Sequence, residues 1–220
     1  MQAWFMQRIG RYVAAHGRQA VVWDEVMEGW SDDDDDTISL QRPIVMCWRG
    51  QDKAAEAVAR GFKVILCPGS HCYLDCAQDA PHTQPVSSGG YLPLATVYAY
   101  DPLQGIEARQ DLVLGVQGNL WAEHIATPQH AEYMLYPRIM AIAEIGRGKH
   151  DDYAAFRQRA VEQVRELRAQ GYNAFDLEHE VGERKERDTE AQHMARGCKV
   201  TYNAPFNDYY RAGGASALTD

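Results

Sequence analysis

The sequence predicts an α/β fold built on a parallel sheet, and three observations lead there. Four short runs between residues 19 and 118, "QAVVWDE", "PIVMCWRG", "FKVILCPGS" and "LVLGVQG", are apolar throughout their centres rather than alternating. Stretches with helical spacing lie before, between and after them. Each run stops at glycine, proline or charged residues. A strand whose residues are apolar on both sides has no water-facing side, which is the condition of a parallel sheet covered by helices.

The elements follow in order. Between residues 2 and 16, Trp4, Phe5, Ile9, Tyr12 and Val13 share one helical stripe, and Gly17 stands where a left-handed cap belongs, so this helix is expected to pack through that stripe. The first strand ends at Trp23-Asp24-Glu25 and is followed by an acidic loop. After the second strand, "DKAAEAVARG" reads as a helix closed by Gly61, and the third strand is stopped by Pro68 and Gly69. A Gly- and Pro-rich stretch, roughly 69 to 111, reads as a long loop of the kind that carries function. The fourth strand follows. Thr127-Pro128 then starts a helix, with the hydroxyl as cap and the proline in the first turn, and Pro137 is expected to kink it. A last helix, Asp151 to Gln170, repeats Tyr153, Phe156, Ala160, Val164 and Leu167 on one face and ends at Gly171; its Glu162, Glu166, Arg165 and Arg168 read as a solvated face. From about 178 to 198 the chain is charged and nearly free of large apolar residues, which reads as a linker. Residues 199 to 220 regain aromatics and turn residues and read as the start of a further module.

At 220 residues, 45% hydrophobic and 24% charged, the composition is that of an ordinary globular protein with one sizeable core. Of the net charge of −9, the run Asp32 to Asp36 carries five units, so the rest is only mildly acidic. A basic surface for nucleic acid or an anionic membrane is not expected. No apolar stretch approaches the roughly 18 residues that span a bilayer, and "MQAWFMQRIGRY" lacks the plan of a signal peptide, so the compartment is not readable. The cysteines, Cys47, Cys67, Cys72, Cys76 and Cys198, include no C-x-x-C pair, and His71 completes no zinc spacing; ordinary thiols and no metal are expected.

In parallel α/β folds, functional groups collect at the carboxyl ends of the strands. The first strand ends in Trp23-Asp24-Glu25, the second in Trp48-Arg49, the third leads to Tyr73-x-Asp75, and the fourth to Trp121-x-Glu123. Taken singly, a tryptophan at a strand end has the plainer reading of a core residue. His71, His124 and His130 read as local hydrogen-bonding groups. Asp24 and Glu25 look like a carboxylate pair, but neighbours on an extended segment point to opposite faces, so a structural role is expected. The recurrence of an aromatic at four strand ends, twice with a carboxylate two residues later, is what suits carbohydrate. Ring faces stack on sugar C–H bonds, and carboxylates accept from hydroxyls.

The same residues resemble a known family. Trp-Asp-Glu at 23 to 25, Met-x-Trp-Arg-Gly at 46 to 50, Tyr-x-Asp at 73 to 75, Gly-Gly-Tyr-Leu-Pro-Leu at 89 to 94, Gly-x-Gln-x-x-Leu-Trp-x-Glu at 115 to 123 and Tyr-x-x-x-Pro-Arg with Ala-x-x-Glu from 133 to 144 stand in the order found in the β-N-acetylhexosaminidases of glycoside hydrolase family 20. The likeness runs from residue 2 to about 177. It implies a (β/α)8 barrel, exo-hydrolysis of terminal β-linked N-acetylglucosamine or N-acetylgalactosamine, and a substrate-assisted retaining mechanism without metal or organic cofactor. It further implies that Trp23, Trp48 and Trp121 wall the acetamido pocket, that Tyr73 donates to the acetamido oxygen, and that Asp75 and Glu123 hold remote sugar hydroxyls.

The family's adjacent Asp-Glu pair, which follows a His-x-Gly-Gly element and supplies the general acid, and its early-strand arginine have no counterpart here. Asp24-Glu25 matches the later Trp-Asp-Glu motif instead. The resemblance therefore implies the second half of a barrel, inactive alone, with open edges that would be covered by the first half or by a second copy. The Asp-x-x-Asp-x-Asp-x-Glu strand of chitinases is absent. The rival readings are a sugar-binding protein without catalysis and a structural remnant.

Overall fold

The computed structural model describes residues 2–29, 42–80, 83–148 and 151–182, all within one unit, Met1–Arg184. The aspartate run, the linker beyond residue 182 and the tail 199–220 lie outside the described residues. Four strands, β1 (Val21–Trp23), β2 (Ile44–Cys47), β3 (Val64–Leu66) and β4 (Val113–Val116), form one sheet in the order β1-β2-β3-β4, and every pairing is parallel. The parallel α/β architecture expected from the apolar runs is therefore present.

Helices α1 (Gln2–Ala15), α2 (Gln51–Ala59), α3 (Gly69–Cys72), α4 (Leu94–Tyr98), α5 (Pro128–Leu135), α6 (Arg138–Ile145) and α7 (Tyr153–Ala169) surround the sheet. Val45 pairs with Val64 and Cys47 with Leu66, and this buried row joins Ala54, Ala57 and Val58 of α2 and Phe62 in one core cluster. Each such fully buried Leu or Phe contributes about 1.5–3 kcal/mol of transfer free energy. The alternate row, Ile44, Met46 and Ile65, is only half-buried. The strands are apolar throughout because one row is buried in the core and the alternate row is itself half-buried rather than open to water.

Three local expectations change. In α1 Trp4, Phe5 and Tyr12 of the stripe are exposed, while Met6, Gly10, Val13 and Ala14, with Ile9 at the rim, line a groove of about 410 Å³ against β1. Pro137 separates two helices rather than kinking one, since it has no N–H to give and α6 begins only at Arg138. Thr127 caps α5 as expected, accepting from the His130 amide at 3.1 Å. The stretch 69 to 111 is not one irregular loop: it holds α3, α4 and a 3-10 helix, Glu107–Leu112, each too short to show a period in sequence.

The last helix follows its predicted face, with Phe156, Ala160 and Val164 buried and Phe156 stacked on Tyr98 at 4.5 Å. Beyond it, residues 178 to 182 are held on the body. Arg165 pairs with Glu178, Arg157 with Glu180, and the amides of Val181 and Gly182 donate to Asp79 at 2.9 and 3.0 Å. No helix among the described residues is long and apolar enough to cross a membrane.

Candidate active site

The site is built from the strand ends inward. At the end of β1 the chain turns directly into a 3-10 helix, Asp24–Gly29. Asp24 is fully buried, and its carboxylate accepts from the amides of Trp48 and Arg49 at 3.0 and 3.1 Å and from Arg49 Nε at 2.6 Å. The end of β1 thus fixes the main chain at the end of β2. Arg49 is held further by Glu28. Glu25 takes the next position on the 3-10 helix and accepts from the indole Nε1 of Trp48 at 3.0 Å.

β3 and β4 continue to pair past their regular ends. The Asn119 amide donates to Cys72 O at 2.8 Å and the Leu74 amide to Asn119 O at 2.7 Å, a parallel bridge between Tyr73 and Asn119. Two residues on from these partners stand Asp75 and Trp121, so both chains deliver their side chains to one rim. Upstream, Gly115 is paired with Ile65 where the register shifts, and its φ of 150° is a conformation that suits glycine. Gly118 is needed for space: a Cβ there would lie 2.8 Å from Ile142 Cδ1 and 3.1 Å from Leu74 Cδ1.

These elements enclose an open cleft of about 580 Å³ lined by Trp23, Glu25, Trp48, Tyr73, Asp75, Ser88, Trp121, Glu123 and His124. All six residues singled out in the sequence, Trp23, Trp48, Tyr73, Asp75, Trp121 and Glu123, are brought together. The aromatic walls are continuous: Trp23 lies 5.8 Å from Trp121, Trp121 lies edge-on to Tyr73 at 6.2 Å, and Tyr73 stacks with Trp48 at 6.2 Å and 19°. Asp75 is buried. The Ser88 hydroxyl bonds one of its carboxylate oxygens, while the other, Oδ1, has no partner. Burial pushes the Tyr73 hydroxyl up to about 12, against the opposing contacts of Trp121 and Asn119, so it is a neutral donor at any ordinary pH. Among the described residues the lining holds three carboxylates and no lysine or arginine. Such a cleft can stack apolar ring faces and accept from several hydroxyl or N–H donors at once.

Sequence reasoning missed Glu25, Ser88 and His124. Asp24 and Glu25 do point apart, as expected of the pair, Asp24 into the end of β2 and Glu25 to the cleft, so treating both as structural passed over the one that lines it. Ser88 carries no motif of its own. Of the other two histidines considered in the sequence, neither lines the cleft: His71 bonds Ser70 and stacks on Tyr100 at 5.0 Å, and His130 stands in the first turn of α5. Cys47, Cys67 and Cys72 are buried thiols that burial pushes up, Cys67 to about 11 and Cys72 to about 12, and Cys198 lies outside the described residues. Among the described residues no three His, Cys, Asp or Glu converge as metal ligands would.

Fold and cleft together define an α/β protein with a parallel sheet and an aromatic cleft with three carboxylates at the carboxyl ends of its strands. Residues 1–147 match the glycosyl hydrolase family 20 catalytic domain, and the chain belongs to that family. It is 38% identical over 148 residues to a beta-hexosaminidase of Porphyromonas gingivalis, covering 66% of this chain and 18% of the relative. To a beta-hexosaminidase of Vibrio furnissii it is 35% identical over 134 residues, covering 59% and 21%. The chain therefore spans about a fifth of the length of these curated relatives. Among solved structures, an exo β-N-acetylglucosaminidase from Vibrio harveyi in complex with N-acetylglucosamine superposes with a TM-score of 0.67 at 26% identity, covering 80% of this chain and 27% of that one. A mutant Streptomyces plicatus beta-hexosaminidase in complex with its product gives 0.66 at 26% identity, covering 79% and 35%. The four-stranded sheet is accordingly an arc of the family's barrel.

Proposed function

We propose that this chain supplies the sugar-binding half of a β-N-acetylhexosaminidase site that releases terminal β-linked N-acetylglucosamine or N-acetylgalactosamine. The observation that carries this reading is the convergence of Trp23, Trp48, Tyr73 and Trp121, from four successive strands, on one cleft with Asp75 and Glu123. The indoles wall the acetamido group and support the sugar face. Tyr73 donates to the acetamido oxygen. Asp75, through its unpartnered Oδ1, and Glu123 accept from hydroxyls remote from the scissile bond.

In the substrate-assisted route the acetamido oxygen attacks the anomeric carbon as the glycosidic C–O bond breaks, and the leaving oxygen takes a proton from a general acid. Water then opens the oxazolinium ion with overall retention. The residues assigned here hold the acetamido group against the anomeric carbon between aromatic walls, which supplies proximity. The general acid is assigned to none of them. Asp75 is engaged by Ser88 and Glu25 by Trp48, and Glu123 is given to a hydroxyl. The catalytic body in this reading extends from residue 1 past 177 to include 178–182, which are bonded to it; the rest of the charged stretch to 198 is read as a linker and 199–220 as the start of a further module.

The test is release of nitrophenol from 4-nitrophenyl N-acetyl-β-D-glucosaminide by the purified chain, alone and mixed with the upstream half of a related barrel, with a tryptophan-fluorescence titration of N-acetylglucosamine alongside. The expected result is a fluorescence response, no turnover alone, and turnover on mixing. Turnover by the chain alone would place the acid among its own residues and overturn the assignment. A fluorescence response without turnover on mixing would leave a sugar-binding protein. No response at all would remove the sugar site.

A further inference from the structure

We infer that Glu25 is a positioning residue of the cleft, whose carboxylate sets the plane of the Trp48 indole and through it the aromatic wall; the consequence for ligand rests on the sugar-site reading above. Asp24 fixes only the main chain of Trp48, through the amides of residues 48 and 49. The side chain keeps two torsions, and besides its packing against the core two ring contacts bear on them. One is the stack on Tyr73 at 6.2 Å, which tolerates sliding and tilting. The other is directional: Trp48 Nε1 donates to Glu25 Oε1 at 3.0 Å, and an indole has a single N–H to give.

A ring that supports a sugar face works only when its plane matches that face, so a tilt of the indole removes the contact without removing the residue. Glu25 is held where it can prevent that tilt. Its second oxygen, Oε2, is buried and unpartnered, an arrangement that costs stability rather than adding to it. A position selected for stability alone would not keep such a carboxylate facing a cleft that already holds Asp75 and Glu123. The Trp23-Asp24-Glu25 segment thus divides its work, with an aromatic wall from Trp23, a main-chain clamp from Asp24 and an indole clamp from Glu25.

The experiment is an indole N–H spectrum of the full chain labelled with 15N-tryptophan, in which W48F assigns one of the five tryptophan signals, combined with N-acetylglucosamine titration. In E25A the Trp48 indole proton should move and exchange at least tenfold faster, and sugar affinity should fall about tenfold, the size expected when a charge-assisted hydrogen bond is lost. E25Q keeps a neutral acceptor and should recover most of both. E25D keeps the charge but, one methylene shorter, withdraws the acceptor, and should behave like E25A; it serves where E25A fails to fold. In a W48F background the E25A substitution should cost no further affinity. An unchanged Trp48 indole signal in E25A or E25D would overturn the inference, and so would an affinity loss that persists in W48F, which would make Glu25 a direct ligand contact. If the unaltered chain gives no sugar response, the functional reading fails while the indole measurement in the free protein still decides the role of Glu25.

Discussion

The Gly182 amide donates to the Asp79 carboxylate at 3.0 Å across 103 residues of chain. Val181 and Ala80 donate to the same side chain at 2.9 and 2.7 Å, and Tyr91 closes the arrangement by donating to Gly182 O at 3.0 Å. Asp79 and Tyr91 both belong to the loop that begins at Asp75 and is tied across itself by the bridge between Ala77 and Tyr91. The strap after α7 therefore holds the loop that brings Asp75 and Ser88 to the cleft.

Replacing Asp79 by Asn leaves one acceptor for three amides and sets an NH2 group against them. D79N should lose about 1.5–3 kcal/mol of stability in urea denaturation, the range for hydrogen bonds to a charged group. The amides of Val181 and Gly182 should lose their protection from hydrogen exchange. Unchanged protection in D79N would show that the strap is held by other contacts.

Arg138 is a second anchor of the same loop. Fully buried, it donates to the carbonyls of Leu74, Cys76, Leu92 and Met134, and the first two flank Asp75. Burial pulls its basicity down to about 10, still well above neutrality, so it is held charged by carbonyl dipoles. A lysine offers one compact ammonium where a planar fork is required. R138K should cost at least about 2 kcal/mol, since several bonds to a charged donor are lost together, and R138A should cost more. A midpoint for R138K within error of the unaltered chain would count against a loop held through Arg138.

Gly118 makes a prediction of opposite origin, from space rather than polarity. Its Cβ would intrude on Ile142, Leu74 and Ile139 at 2.8 to 3.2 Å. Overpacking of this kind costs about 1–3 kcal/mol. G118A should therefore lower the thermal midpoint, and the double variant G118A/I142V, which clears the closest methyl, should regain part of the loss. No loss in G118A would show that the strand end shifts freely.

The parts legible in the sequence were those set by short-range chemistry. Aromatic and acid two residues apart at a strand end marked Trp121 and Glu123, and the apolar runs marked the sheet. The orientation of α1 was not legible, because two apolar stripes share that helix and periodicity says which residues lie together, not which stripe meets the sheet. The divergence of Asp24 and Glu25 was legible, but not which of the two meets the cleft, because that depends on the 3-10 turn that follows β1. Besides the neighbouring Ala80 and Met134, the anchors Asp79 and Arg138 reach main-chain groups 46 to 103 residues away, and no local pattern records such partners.

Tyr73 yields the pH dependence. Its hydroxyl has a folded value of about 12 against an ordinary 10, raised chiefly by burial. The folded state holds this proton more tightly than the unfolded chain, so its contribution to stability is complete below pH 10 and is lost as pH rises to 12. Sugar binding should show no loss attributable to Tyr73 between pH 7 and 10. A tyrosinate absorbance titration, read as the difference between the chain and Y73F, should place this residue's step above the main group of tyrosines. A step near 10 would mean that the cleft is wetter than its aromatic walls indicate.

The two outer strands give the last prediction. Among the described residues β1 and β4 each have one unpaired edge, with Val21 50% and Leu114 51% exposed, and the outward stripe of α1 adds Trp4, Phe5 and Tyr12. Unpaired strand edges beside exposed apolar side chains pair readily with other chains. The isolated 220-residue chain should sediment as a species heavier than a monomer, with the heavier fraction growing as concentration rises. Charge on the two edges, as in V21K with L114K, should shift it toward monomer, because lysine on an edge strand opposes pairing without entering the core. A monomer at every concentration would show that both edges are already covered, and the search for a covering partner would then turn from a second copy or an upstream half-barrel to residues of this chain itself.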